Sequence, residues 1–296
     1  MQPVPGELSF FPIGQAAPTP YGPRVNPPVS SFLASSKAAQ AKRTAHLFIE
    51  LVLRDFKAGF LGSYLSVAWA FLQPGITVLL LWFVFEVGFR AGPQNDRPFI
   101  LWLLTGLIPW FFFAEAWAAA TQSILAYRYL VKNIVFPLGI LPLVKIGSSL
   151  IVHVFFLCVV IAILLLYHQH PGWALLQIPY YLGASILLLA GLSWLTSSLI
   201  VFIPDTGYIV NTLIQFGFWF TPIMWNINVV PAKYAPWIAL NPAYYLIDGY
   251  RRAFLYGGWF WERPVLTGYF WLVTLAILVA GRMAFRKLRP HFADVI

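Results

Sequence analysis

The chain carries none of the familiar catalytic signatures. No Gly-Lys pair occurs anywhere, which excludes a GxxxxGK[ST] phosphate loop, and neither HExxH nor GxSxG is present. The polypeptide therefore has no means of hydrolysing a nucleotide by itself. His46, His153, His168, His170 and His291 are scattered, and His168 and His170 flank one residue in a polar break, which reads as a surface loop rather than a metal site. The remaining charges suit holding better than catalysis. Glu115 reads as the one acid inside an apolar run, where a charge costs about 2.5 to 3.5 kcal/mol near a bilayer centre, so it must face the subunit interior or water. Asp248 and Arg251 stand three apart after Asn241-Pro242, a good N-cap followed by a residue suited to a first turn. They are expected to pair on that helix, leaving Arg252 free to point elsewhere.

The elements that must position these residues lie in lipid. Of 296 residues, 60% are hydrophobic and only 10% charged, and 13 Trp, 14 Tyr and 26 Phe present more apolar surface than one core of this size could hide from water. A lone Cys158 excludes a disulfide framework. The net charge of +9 could suit nucleic acid, but in a membrane chain such an excess sets topology, and no nucleic-acid partner is expected.

The first 36 residues hold eight prolines and two charges, Glu7 and Arg24, and read as a disordered Pro-rich tail with no secretory signal. Residues 37–62 follow as an amphipathic interface helix, with Arg43, His46, Glu50, Arg54 and Lys57 on one stripe and Phe48, Val52 and Phe56 on another. Residues 63–286 form an all-α integral membrane domain with six transmembrane helices at about 64 to 89, 99 to 124, 142 to 167, 173 to 203, 206 to 227 and 264 to 285. Residues 287–296 are a short C-terminal tail. Most of the 19 Lys and Arg then collect on the side of the termini, so the positive-inside rule makes both termini cytoplasmic. Between spans five and six, Pro231, Pro236 and Pro242 forbid a crossing. That Tyr- and Trp-rich stretch is expected outside, as short re-entrant helices near 231 to 239 and 242 to 256.

An ordered set of short motifs runs from Leu51 to Arg286: Arg54-Asp55, Leu61-Gly62, Trp69-Ala70-Phe71-Leu72-Gln73-Pro74 and Leu104-Thr105-Gly106-Leu107-Ile108-Pro109-Trp110. It continues with Phe136-Pro137, Ile140-Leu141-Pro142-Leu143, Thr221-Pro222-Ile223, and Asn241-Pro242 followed by Asp248 and Arg251. In these motifs the chain resembles the membrane subunits of type-2 ABC polysaccharide exporters, the permeases for capsule, O-antigen and teichoic acid. Two departures stand out. Leu138-Gly139 sits where the family often has a charged pair, and Pro204 precedes Asp205 where it often has Arg.

The resemblance implies an inner-membrane homodimer joined by two separate ATP-binding cassette subunits, which carry the ATP and Mg²⁺; this chain binds no cofactor of its own. The substrate is expected to be polysaccharide, with lipid-linked capsular polymer or O-antigen as the first expectation and periplasmic export partners left open. A sugar chain needs weakly binding walls, and aromatic faces stack on sugar C–H faces without fixing one geometry. The expected path residues are Trp110, Phe111, Phe112, Glu115, Trp117, Trp219 and Trp225, with Asp248, Arg251 and Arg252 as an outer gate. Arg128, Lys132, Phe136 and Pro137, in the stretch joining spans two and three, are expected to dock on the ATPase subunit. A type-2 permease for a drug or small lipid stays open as an alternative. A membrane-embedded glycosyltransferase or acyltransferase comes third, although the scattered histidines argue against it.

Overall fold

In a computed structural model of the protein, residues 37–59, 66–94, 97–131, 137–169 and 172–296 are described. The Pro-rich tail, Lys132 and Phe136 fall outside them. The chain divides into two units, Met1–Ala45 and His46–Ile296. Of the first, only the opening residues of helix α1 (Lys37–Ala58) are described. Everything below concerns the second.

Among the described residues the regular structure is helical, apart from one isolated bridge between Gln94 and Arg97. Helix α2 (Ser66–Trp82) runs into a π-turn at Phe83–Gly88. Helix α3 (Phe99–Thr121) is apolar on all sides, and Leu101 to Trp110 are all buried, as a helix without a polar face must be when its neighbours surround it. Helices α4 (Leu141–Leu166) and α5 (Ile178–Leu199) follow, each begun by a Pro in its first turn, where the missing N–H breaks no bond. Helix α6 (Thr206–Phe220) is short. Helix α7 (Pro242–Arg251) ends in a π-turn closed by Gly257 at φ +71°, a left-handed conformation that suits glycine at a helix end. Helix α8 (Pro264–Leu288) closes the chain with a short extension to Val295.

Among the described residues, five helices are long and apolar enough to cross a membrane: Ala68–Gly88, Phe99–Thr121, Leu138–Leu166, Trp173–Leu199 and Pro264–Val295. The expected fifth run, 206 to 227, does not form one continuous helix. Thr221 is extended at φ −84°, ψ 135° because it precedes Pro222, and the 15 residues of α6 rise about 22 Å against the 30 Å of a hydrocarbon core.

Two features fix the packing of α5, one against α8 and one against α3. A Cβ on Gly191 would come within 2.8 Å of the Leu278 backbone, so α5 and α8 touch main chain to main chain. Between α3 and α5, the hydroxyls of Thr121 and Thr196 lie 2.7 Å apart, a buried link that satisfies both groups.

Candidate functional site

At the cytoplasmic end of the expected topology, Asp55 on α1 is buried, accepts from Lys145 Nζ of α4 at 2.7 Å, and accepts from the Tyr127 hydroxyl. Val52, one turn earlier, packs on Gly147, where an added Cβ would come within 2.7 Å of it. The face that α1 turns to the helices thus carries one acid among apolar side chains, and Lys145 compensates it. Burial, and then the hydrogen bond to Asp55, hold the Tyr127 phenol well above its ordinary value. The motif residue Asp55 therefore anchors α1. Glu50 and Arg54, four residues apart on the polar stripe, meet on the opposite, exposed face at 2.6 Å.

Beside this anchor a cleft of about 470 Å³ runs between α1, α2, α3 and α4. Phe111, Phe112 and Glu115 border it from α3. Glu115 is exposed to the cleft, and none of the ion pairs among the described residues includes it. Phe112 is buried and stacks on the His153 ring at 4.7 Å, while His153 Nε2 lies 3.0 Å from the Tyr250 hydroxyl on α7. Glu115 is not alone as an intramembrane acid. Glu86 sits in the π-turn of the first run, with Oε2 buried and unpartnered.

The other expected path aromatics do not gather in one place. Trp110 is buried, with its ring edge where a Cβ on Gly217 of α6 would stand, 2.8 Å away, and with Phe113 and Phe218 at 5.8 and 6.1 Å. Trp117 is buried edge-on to Phe113. Trp219 lies on the far side of α6 and is 61% exposed, in line with Tyr208 at 76% and Phe216 at 63%. Trp225 is half-buried and donates from Nε1 to the Trp219 carbonyl at 3.1 Å.

The outer charges are arranged differently from the expected pairing. Asn241 caps α7, accepting from Ala243 N at 3.0 Å and donating to Thr221 Oγ1 at 2.8 Å, which ties the helix to the broken end of α6. Arg251, however, points inward rather than at Asp248. It is 6% exposed, lies 3.7 Å over the Trp102 ring, and donates to the carbonyls of Trp102, Pro222 and Ile223. Those last two carbonyls belong to the non-helical backbone after α6, which must be satisfied by protein wherever water is absent. Gly106 makes the room, since a Cβ there would stand 2.5 Å from the guanidinium. Asp248 pairs instead with Arg263 at 2.8 Å, and Arg252 is not free but pairs with Glu262. The Trp259 backbone N–H, 2.9 Å from Glu262, and then Arg252 hold that carboxyl below its usual range.

Between α3 and α4, Arg128 opens a short helix, Arg128–Val131, and is exposed next to an exposed Tyr129; Pro137 is exposed as well. Two of the four expected docking residues, Lys132 and Phe136, lie outside the described residues.

A relative from Klebsiella pneumoniae, an O-antigen export system permease protein RfbA, is 26% identical over 254 residues, covering 84% of this chain and 95% of the relative. The RfbA protein of Myxococcus xanthus is 27% identical over 252 residues with the same coverage. A sequence profile of the ABC-2 type transporter family matches residues 46–255, a stretch that holds the Asp55 anchor, the cleft and the whole Arg251 cluster. The chain belongs to the ABC-2 type transporter membrane family.

Proposed function

We propose that the protein is the membrane subunit of an ATP-driven exporter that moves a lipid-linked polysaccharide of the O-antigen or capsule type across the cytoplasmic membrane. The observation that carries this reading is that relatives matched over 95% of their length are O-antigen export permeases. The reading places two copies of this chain with two ATP-binding subunits, ATP and Mg²⁺ being held by the latter. Both termini are cytoplasmic. Six crossings result if α6 and its extended continuation make the fifth, with α7 re-entrant from the outer side.

The exposed face of α6, with Tyr208, Phe216 and Trp219, supports a wall that a second copy completes, because open aromatic rings on one helix face can stack on sugar C–H faces. Trp110, Trp117 and Trp225 stand behind or beside that wall, Phe111 and Phe112 line the cleft between α1, α2, α3 and α4 instead, and Asp248, Arg251 and Arg252 hold the outer end. Arg128 with the 132–137 stretch is the docking element for the ATPase subunit. Surface polysaccharide tests the proposal: a strain lacking this gene should accumulate polymer inside the cell and regain surface polymer on complementation. Normal surface polymer in the deletion strain would reject it.

A further inference from the structure

The cleft between α1, α2, α3 and α4 carries more polar side chains than its surroundings explain. Helix α4 presents Lys145, Ser148, Ser149 and His153 to it, at spacings that keep them on one face of a helix otherwise built of Leu, Ile, Val and Phe. Gln73 and Thr77 face it from α2, and Glu115 from α3. Asp55 takes up the charge of Lys145, but Glu115 has no cation among the described residues. An acid at that depth needs hydroxyl or water partners. Aromatic walls stand next to these groups: Trp69 is 50% exposed, and Phe111 and Phe156 border the same space.

Carboxylate, amide and hydroxyl groups beside open aromatic faces form a sugar-binding chemistry, since ring hydroxyls both donate and accept while C–H faces stack. The outer side of α2 adjoining the cleft is exposed and apolar at Leu72, Ile76, Leu79 and Leu80, which suits an acyl or prenyl tail. About 470 Å³ holds one or two sugar rings, not a polymer. We infer that this cleft, within a single subunit, binds the lipid-proximal sugar of a glycolipid, with Glu115, Gln73 and Ser149 holding the ring and Trp69 stacking on it. The inference rests on the export reading for its substrate class and on cytoplasmic termini for its leaflet. It adds a loading site distinct from any path between two copies.

The test uses the full chain with its ATP-binding subunits in nanodiscs, and as probe a disaccharide on a diazirine-bearing alkyl tail. Cross-links mapped by mass spectrometry should fall on peptides covering 66–82, 108–119 and 145–156. An untagged alkyl disaccharide should compete, whereas the same alkyl alcohol without sugar should not. Glu115→Gln and Ser149→Leu, which keep or fill the side-chain volume, should each reduce labelling about tenfold, the effect of losing one buried hydrogen bond. Equal competition by the sugar-free alcohol would overturn the inference in favour of a simple lipid slot, and unchanged labelling in both variants would overturn it outright. The two readings fail separately. A deletion strain without surface polymer combined with no labelling rejects the cleft alone, whereas labelling combined with normal surface polymer in the deletion strain rejects export alone.

Discussion

The guanidinium of Arg251 lies 3.7 Å above the Trp102 ring while it donates to the carbonyls of Pro222 and Ile223. One side chain thus joins the N-terminal end of α3 to the broken backbone after α6, a place where carbonyls would otherwise be buried without donors. The arrangement depends on the planar fork of arginine, which can serve two adjacent carbonyls and stack at once.

Arg251→Met should therefore leave these two carbonyls unsatisfied and lower stability by about 2 to 6 kcal/mol, from roughly 1 to 3 kcal/mol for each stranded group. Arg251→Lys should recover only part of that loss. Gly106→Val should resemble Arg251→Met, because its Cβ would occupy the guanidinium's place. Thermal unfolding of the purified protein, followed by size-exclusion chromatography, reads all three.

The aromatic residues should separate into two groups. Trp110→Ala removes a buried ring between α3 and α6 and should cost about 3 to 5 kcal/mol, seen as loss of membrane-inserted protein. Trp219→Ala, on the exposed face of α6, should leave the amount of inserted protein unchanged and reduce surface polysaccharide. Equal protein loss in both would remove the basis for a wall on that face.

At the α1 anchor, Asp55→Asn should destabilise by about 3 kcal/mol, because Lys145 keeps its charge in a largely covered site. The double variant Asp55→Leu with Lys145→Met should recover most of it, since a buried pair replaced by apolar side chains of similar size is often neutral. Tyr127→Phe should cost about 1 kcal/mol through one lost hydrogen bond. Melting temperatures of the four proteins in one detergent decide this.

The outer ion pair to test is Asp248 with Arg263. Asp248→Arg and Arg263→Asp should each impair export, and the double exchange should partly restore it. Because the two side chains are 23% and 48% exposed, stability should change by less than about 1 kcal/mol in any of them. Surface polymer measured against inserted protein separates the gate role from a folding defect.

Reversing the charge of both Arg128 and Lys132 should uncouple ATP hydrolysis from export while the subunit stays inserted and dimeric. ATPase activity of the assembled complex, set beside surface polymer, checks this. Unchanged export would exclude the stretch as the docking element.

Much of this architecture was legible because apolar runs and their Pro breaks leave few options: α3, α4, α5 and α8 lie within or near the runs that hydropathy marks, and Asn241-Pro242 starts α7 as cap and first turn. The pairing of Asp248 with Arg251 failed for a definite reason. Helical spacing places two residues near each other but says nothing about a better partner, and Arg251 finds three carbonyls opened to it by Gly106, while Arg263 reaches Asp248 from beyond the Trp259 turn. Trp110 and Trp219 look alike in sequence. They differ because α3 is surrounded and α6 is not, and the signals that could have separated them are the small residues facing Trp110 and the lack of any polar side on α3. Glu86 was missed because it lies at the end of its run, where an acid is easily read as part of the following loop.

The shortness of α6 bears on the membrane itself. A helix that rises about 22 Å cannot match a hydrocarbon layer of about 30 Å, so lipid beside it, wherever a second copy does not cover it, must thin, or the non-helical segment after Thr221 must sink into the layer. Both outcomes shorten the oily barrier beside that face. A hydrophilic chain passing there would cross less hydrocarbon than anywhere else along the subunit, and the protein would have lowered the cost of transit by deforming its solvent instead of only lining a hole through it.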